Sequence, residues 1–419
     1  MDAIEYYGYL PAFFIYHQPA FQFLNKPTPP GFISKFWVKP QPGKKYVTRM
    51  TLGCAFIVAP GFLAGHLYSK ITGSVQDGFQ KPYLTGVWIW IQLLILFSLF
   101  IIKKILDNYH FNIYIQSATV LILVMGTNLF NYITFEAFMT HAVNFFLCAM
   151  LIYSTLKWYS HQTIILLFGI AFSLSFLILI RPTNAVLLCV PLFWGIAGMA
   201  DFKQRLGLFK LKKYHVFLAV LIPAFVFTVQ LIYWKIETGH FIYNGYEGEK
   251  FFFKHWLLPE YLFSYRKGWF LYTPLALLAL LGLLIKTDVL KGKKLLIIFI
   301  IFGIAYVHSC WWCWWFGGGF GARSMVDFYP LLALPLAALL QFISEKKWLI
   351  KIPATAIICF LLILNLKQSG QYRGGLLHWD AMSKKAYWGI FLKNNPPPGY
   401  EKMLSPTDAM KAKAGFIYH

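Results

Sequence analysis

Two carboxylates open the chain. In Met1-Asp2-Ala3-Ile4-Glu5-Tyr6-Tyr7-Gly8-Tyr9-Leu10, Asp2 and Glu5 stand three residues apart and aromatics follow them. That spacing puts both on one face if the stretch is helical. Everything after residue 83 reads as membrane, so these acids sit at the edge of a bilayer, where an acid is costly unless it is used or paired. An acid so placed suits a general base that takes a proton from an attacking hydroxyl. Asp2 is the first candidate and Glu5 the fallback. The plain alternative is a solvated N-terminus.

Three other stretches carry chemistry-bearing residues. Arg181-Pro-Thr-Asn184 breaks two apolar runs. Its arginine is either an anion ligand or a cation snorkelling over a tight turn. Gly317-Gly-Gly-Phe-Gly321 precedes Arg323, and such glycines let the backbone come close to something. The four tryptophans just before it, between Trp311 and Trp315, are also what a membrane interface collects. Cys310-Trp-Trp-Cys313 has metal-like spacing, but no second Cys or His pair completes a zinc site.

The elements that must position these residues are membrane helices. The chain has 419 residues, 58% hydrophobic, 19% aromatic and only 13% charged. Soluble domains carry about 25% charged residues. The net charge of +22 does not mark a nucleic-acid surface, because the cations cluster in short loops between apolar runs. Spans are expected near 84–103, 114–133, 139–156, 163–180, 183–200, 214–234, 269–285, 295–312, 326–343 and 350–366, each close to the ~20 residues a bilayer needs. Lysine-rich loops at 201–213 and 286–294 then fall on one side, the cytoplasmic one.

Residues 50–68 are ambiguous. They are apolar, but Pro60, three glycines and His66 interrupt them, so they either span or lie flat in the interface. Lying flat would make 1–83 a single outer loop. Residues 367–419 read as a polar, Pro-rich outer tail, too short for a core of its own.

Taken together, these stretches resemble the GT-C superfamily of membrane glycosyltransferases, close to the bacterial protein O-mannosyltransferase and lipid A aminoarabinose transferase group. Asp2 to Tyr9 is similar to the acidic motif of the first outer loop. Lys44-Lys-Tyr-Val-Thr-Arg-Met through His66 and Asp77-Gly-Phe-Gln-Lys-Pro-Tyr83 resemble its interfacial helices. Arg181-Pro-Thr-Asn184 resembles a basic turn at the outer end of mid-chain spans. Gly317 to Arg323, with Asp327 and Pro330, resembles a late outer motif ending Gly-x-Arg.

The resemblance implies an all-α polytopic bundle of about ten transmembrane helices (84–366). A first outer loop (1–83) carries interfacial helices, so 50–68 lies flat, and an outer C-terminal tail (367–419) follows. It implies a cell-envelope enzyme of the bacterial plasma (inner) membrane. That enzyme moves a hexose or pentose from a polyprenyl-phosphate donor to a glycan, lipid or protein acceptor on the periplasmic face, with no nucleic-acid partner. Asp2 or Glu5 would be catalytic. Lys44, Lys45, Arg181 and Arg323 would hold the donor phosphate, and Asp77, His141 and Arg266 are further candidates for substrate contacts. With these cations no cofactor is required; Mg²⁺ on Asp2, Glu5 and Asp77 is the weaker alternative. A span normally precedes the acidic motif in that superfamily, so an in-frame apolar stretch of ~20 codons is expected upstream of Met1. A flippase for lipid-linked glycans and an O-antigen-type polymerase are the competing readings.

Overall fold

The computed structural model describes residues 2–25, 36 and 38–415. Among the described residues the chain is all-α apart from one hairpin. Helix α1 (Asp2–Phe14) is followed by strands β1 (Val38–Gln41) and β2 (Lys45–Thr48), antiparallel with Val38 opposite Thr48. Then come α2 (Gly53–Thr72), α3 (Lys81–Asn108), α4 (Ile113–Met125), α5 (Leu129–Thr134), α6 (His141–His161) and α7 (Ile164–Ile180). A 3-10 turn over Pro182–Leu188 leads to α8 (Cys189–Phe193), α9 (Met199–Leu211) and α10 (Lys213–Thr238). The rest is α11 (Leu258–Phe263), α12 (Trp269–Tyr272), α13 (Pro274–Leu281), α14 (Lys294–Ser309), a 3-10 segment Arg323–Leu332, α15 (Ala333–Ser344), α16 (Trp348–Arg373), α17 (Lys384–Ile390) and α18 (Ala409–Lys413).

Five helical stretches among the described residues are long and apolar enough to cross a bilayer: α2, α3, α10, Arg323–Ser344 and α16. That corrects the expected ten, and the causes are local. The run 114–133 stops at Gly126, which caps α4, and resumes as the short α5. The run 183–200 begins as a 3-10 turn and leaves only five residues of α8. The run 269–285 breaks at Thr273-Pro274 into α12 and α13. Helix α6 is 21 residues long but carries His141, Asn144, Ser154, Thr155 and Lys157, which dilute its apolarity. Conversely, the 50–68 stretch expected to lie flat forms an unbroken 20-residue helix through Pro60 and is one of the five. Only 11% of the apolar window of α10 and 17% of that of α16 is buried. Helices so apolar and so little covered by protein are suited to lipid contact.

The residues group into two compact units. The first comprises Met1–Ser98, Glu136–Ala185 and Leu208–Glu247. There α7 packs against α6, α10 and α2, and α1 lies on α2. Helices α2 and α3 touch backbone to backbone: a Cβ on Gly86 would stand 2.3 Å from the Gly61 carbonyl oxygen. This is the close approach that small residues at a membrane-helix crossing allow. Gly86→Ala should force the helices apart and cost about 1–3 kcal/mol, read as a lowered melting temperature in detergent. An unchanged melting curve would show that the crossing tolerates a side chain.

The second unit comprises Leu99–Phe135, Val186–Gly207 and Gly248–His419. In it α15 packs against α4, α13 and α16. The tail after residue 367, too short for a core of its own, shares one with residues earlier in the chain. Leu377, Met382, Ala386, Tyr387 and Ile390 bury against Tyr272 and Phe320.

Candidate active site

The opening acids lie where their spacing put them. Asp2 and Glu5 occupy the first turn of α1, the end of a helix that favours negative charge. Tyrosines fix that helix. Tyr9 donates to the Met50 carbonyl at 2.7 Å, and Tyr7 donates to the Gly78 carbonyl. Just past β2, Arg49 turns to the acids. Its Nη2 stands 3.2 Å from Asp2 Oδ1 and its Nε 3.6 Å from Glu5 Oε2. Its guanidinium lies over the Tyr246 ring, 5.6 Å from the centroid. Burial is graded across the group: the Glu5 side chain is 0% exposed, Arg49 15% and Asp2 23%.

Arg181 belongs to the same group. Thr51, two residues after Arg49, donates to the Leu179 carbonyl at 2.6 Å, two residues before Arg181, so the two chain segments are held in register. Burial raises the Tyr6 phenol well above its ordinary range, with Tyr246 and Asp2 adding to the rise and Arg181 opposing it. Tyr246 is raised by burial too, with Arg49 and Arg181 pulling down and Asp2 and Glu5 pushing up. Both phenols thus lie within electrostatic reach of Arg181 and Asp2, and Tyr246 within reach of Glu5 as well. The arrangement is a part-exposed carboxylate backed by a buried one, with the Arg49 guanidinium beside both and Arg181 within electrostatic reach of the same tyrosines. A carboxylate there can accept a proton, and the guanidiniums can grip phosphate oxygens in pairs.

Arg49 was missed as a site residue in the sequence. Its acid partners lie 44 and 47 residues away, and nothing in the local pattern marks it beyond being the last cation of Lys44-Lys-Tyr-Val-Thr-Arg.

The other candidates of this unit are occupied differently. Lys45 pairs with Glu237 at 2.9 Å and reaches the Ile236 carbonyl at 3.3 Å. Lys44 is exposed in the hairpin turn with a positive φ of 57°, and its carbonyl accepts from Asn25. Lys44 precedes β2 and Lys45 begins it, while Arg49 follows its far end, about 13 Å from Lys45 at the strand's rise per residue. Asp77 works as a turn former: its carboxylate accepts from the Phe79 and Gln80 backbone at 2.8 and 3.1 Å, just ahead of α3. His141 is fully buried in the first turn of α6.

Arg323 and Arg266 belong to the second unit. Arg323 begins the 3-10 segment, partly exposed, and its stem packs on Gly319 of the glycine-rich loop. The partners of those glycines are now visible. A Cβ on Gly318 would meet the Trp379 ring at 2.8 Å, and one on Gly319 the Tyr132 hydroxyl at 2.8 Å. Lys267 donates to the Gly319 and Trp379 carbonyls, and Tyr132 accepts from the Phe320 amide at 2.8 Å. These glycines therefore serve packing within the chain. Arg266 is a staple. It donates to the Asp380 carbonyl (2.9 Å), Thr407 Oγ1 (3.0 Å) and the Ser405 carbonyl (2.7 Å), with the Trp315 ring 5.4 Å from it. Burial lowers its pKa and Asp380 opposes that.

Cys310 and Cys313 are free, and burial pushes the Cys313 thiol up to about 12. Its thiolate is then scarce at neutral pH. Alkylation of Cys313 in the folded protein should run roughly a thousandfold slower than that of an ordinary exposed thiol, as followed by mass spectrometry at pH 8. Fast labelling would contradict the raised pKa. Among the described residues, no group of three or more His, Cys, Asp or Glu side chains gathers as a metal site.

No protein-family description, no curated protein and no solved structure matches this chain.

Proposed function

We propose that this protein is a membrane glycosyltransferase. It moves a sugar from a polyprenyl-phosphate donor to a hydroxyl of a glycan, lipid or protein at the face of a bacterial plasma membrane on which α1 lies. The observation that carries the reading is the graded group Asp2, Glu5 and Arg49, with Arg181 in electrostatic reach of the same Tyr246, in a chain whose described residues include five helical stretches fit to cross a bilayer. Asp2 is the base because its carboxylate is 23% exposed, whereas Glu5 is enclosed and has no route to an acceptor. The acceptor oxygen attacks the anomeric carbon and its proton passes to Asp2. The bond from that carbon to the phosphate oxygen breaks, and its electron pair leaves with the lipid phosphate. A cation at the rim stabilises the departing charge, and Arg181 fills that role. One displacement inverts the anomeric configuration.

Reconstituted vesicles separate this reading from the flippase alternative. Given a polyprenyl-phosphate sugar labelled in both halves, the protein should split the label between free polyprenyl phosphate and a glycosylated acceptor. Movement of intact donor between leaflets without cleavage would support transport instead.

A further inference from the structure

Arg49 divides its guanidinium between two acids in unlike surroundings. The Glu5 side chain is fully enclosed, and losing its cation would strand a charge in a medium of low dielectric. The Asp2 contact sits at the rim, at 3.2 Å and partly wet, where a competing anion meets little resistance. The Tyr246 ring supports the guanidinium from one side and leaves its edge donors for in-plane partners.

We propose, on the basis of the transferase reading above, that Arg49 is a phosphate-binding residue that exchanges Asp2 for the donor. Glu5 keeps the Nε edge while Nη2 turns from Asp2 to an oxygen of the lipid-linked phosphate ester. Glu5 is then a positioning residue rather than a second base. The exchange couples binding to chemistry. Without donor, Asp2 is held by Arg49; with donor seated it loses that contact, and a carboxylate that loses a neighbouring cation is the stronger base. Arg181 supplies the second cation for the same phosphate. Lys45, paired with Glu237, is left to hold the hairpin against α10.

The test is binding of undecaprenyl phosphate to the purified full chain in nanodiscs, followed by tryptophan fluorescence. Inorganic phosphate and phosphatidylglycerol serve as competitors. Arg49→Gln should weaken binding roughly 10- to 100-fold, the loss of a hydrogen bond to a charged group. Asp2→Asn should tighten binding several-fold, because the internal competitor for Nη2 is gone. A purely structural Arg49 would not produce that gain. The double variant Asp2→Asn with Arg49→Gln should lose it. Arg49→Lys, which keeps the charge, covers the case in which the glutamine variant does not fold, and should bind at an intermediate level.

Wild-type binding with Asp2→Asn and Arg49→Gln both indistinguishable from it would overturn this exchange and leave the transferase reading standing. Displacement by phosphatidylglycerol as effective as by the polyprenyl lipid would assign the site to ordinary headgroups and overturn it as well. No wild-type binding of undecaprenyl phosphate would remove the transferase reading together with the exchange.

Discussion

Asp2→Asn is expected to lower sugar transfer by roughly 10²- to 10⁴-fold, the contribution of a general base, without weakening donor binding. The asparagine keeps the shape of the side chain and its place in the first turn of α1. It cannot take the acceptor's proton. Because Asp2 sits at the rim and Glu5 carries the enclosed half of the Arg49 contact, the substitution should leave the fold intact. Glu5→Gln should behave differently. It leaves the Nε edge of Arg49 facing a neutral amide in an enclosed setting while Nη2 keeps its Asp2 contact, at a cost of about 1–3 kcal/mol. Its activity loss should therefore track a lower melting temperature and weaker donor binding. Turnover, donor affinity and thermal stability measured together on the two variants separate these roles. Near-normal turnover in Asp2→Asn with none in a well-folded Glu5→Gln would reverse the assignment.

The largest stability effect is expected at Arg266, far along the sequence from those acids. This side chain is 5% exposed and ties Asp380, Ser405 and Thr407 to the α11–α12 connection. Asp380 is in turn held by Trp315 Nε1 at 2.8 Å and by Thr407 at 3.2 Å, so the arginine closes a network spanning four stretches of chain. Arg266→Ala should cost about 3–5 kcal/mol, as breaking a buried charged contact does. The segment after residue 380 should become sensitive to limited proteolysis. Arg266→Lys should not rescue it, because one ammonium cannot reproduce the planar fork that meets three acceptors. A wild-type cleavage pattern in Arg266→Ala would show that the hydrophobic cluster around Tyr387 holds the tail alone.

These two sites differ in how well the sequence announces them. The pairing of Asp2 with Glu5 on one helical face follows from a spacing of three residues and is local. The Arg49 contact is not local, and periodicity carries no information about a partner more than forty residues away. The apolar runs marked most helices, but hydropathy is insensitive to where a helix stops. Gly126, Thr273-Pro274 and the turn at Pro182 cut runs of adequate length into pieces too short to span. Pro60, which argued against a span, is accommodated inside α2. The glycine-rich loop was legible as a place of close approach. Its partners, Trp379 and Tyr132, lie some 60 residues later and nearly 190 residues earlier, so only the folded chain could name them. The tail has no core of its own to announce: its scattered apolar residues form a cluster only with Tyr272 and Phe320 from elsewhere in the chain, a pairing that composition does not carry.

The most direct test of the central claim follows the anomeric carbon itself. The purified full chain in nanodiscs would be given a polyprenyl-phosphate sugar carrying ¹³C at that carbon, with an acceptor, and watched by NMR. The account predicts that the labelled carbon leaves its phosphate ester and reappears in a glycosidic bond of inverted configuration, and that Asp2→Asn suppresses the change. A label that stays on the lipid phosphate with every donor and acceptor tried, in protein that is folded and binds the lipid, would contradict it.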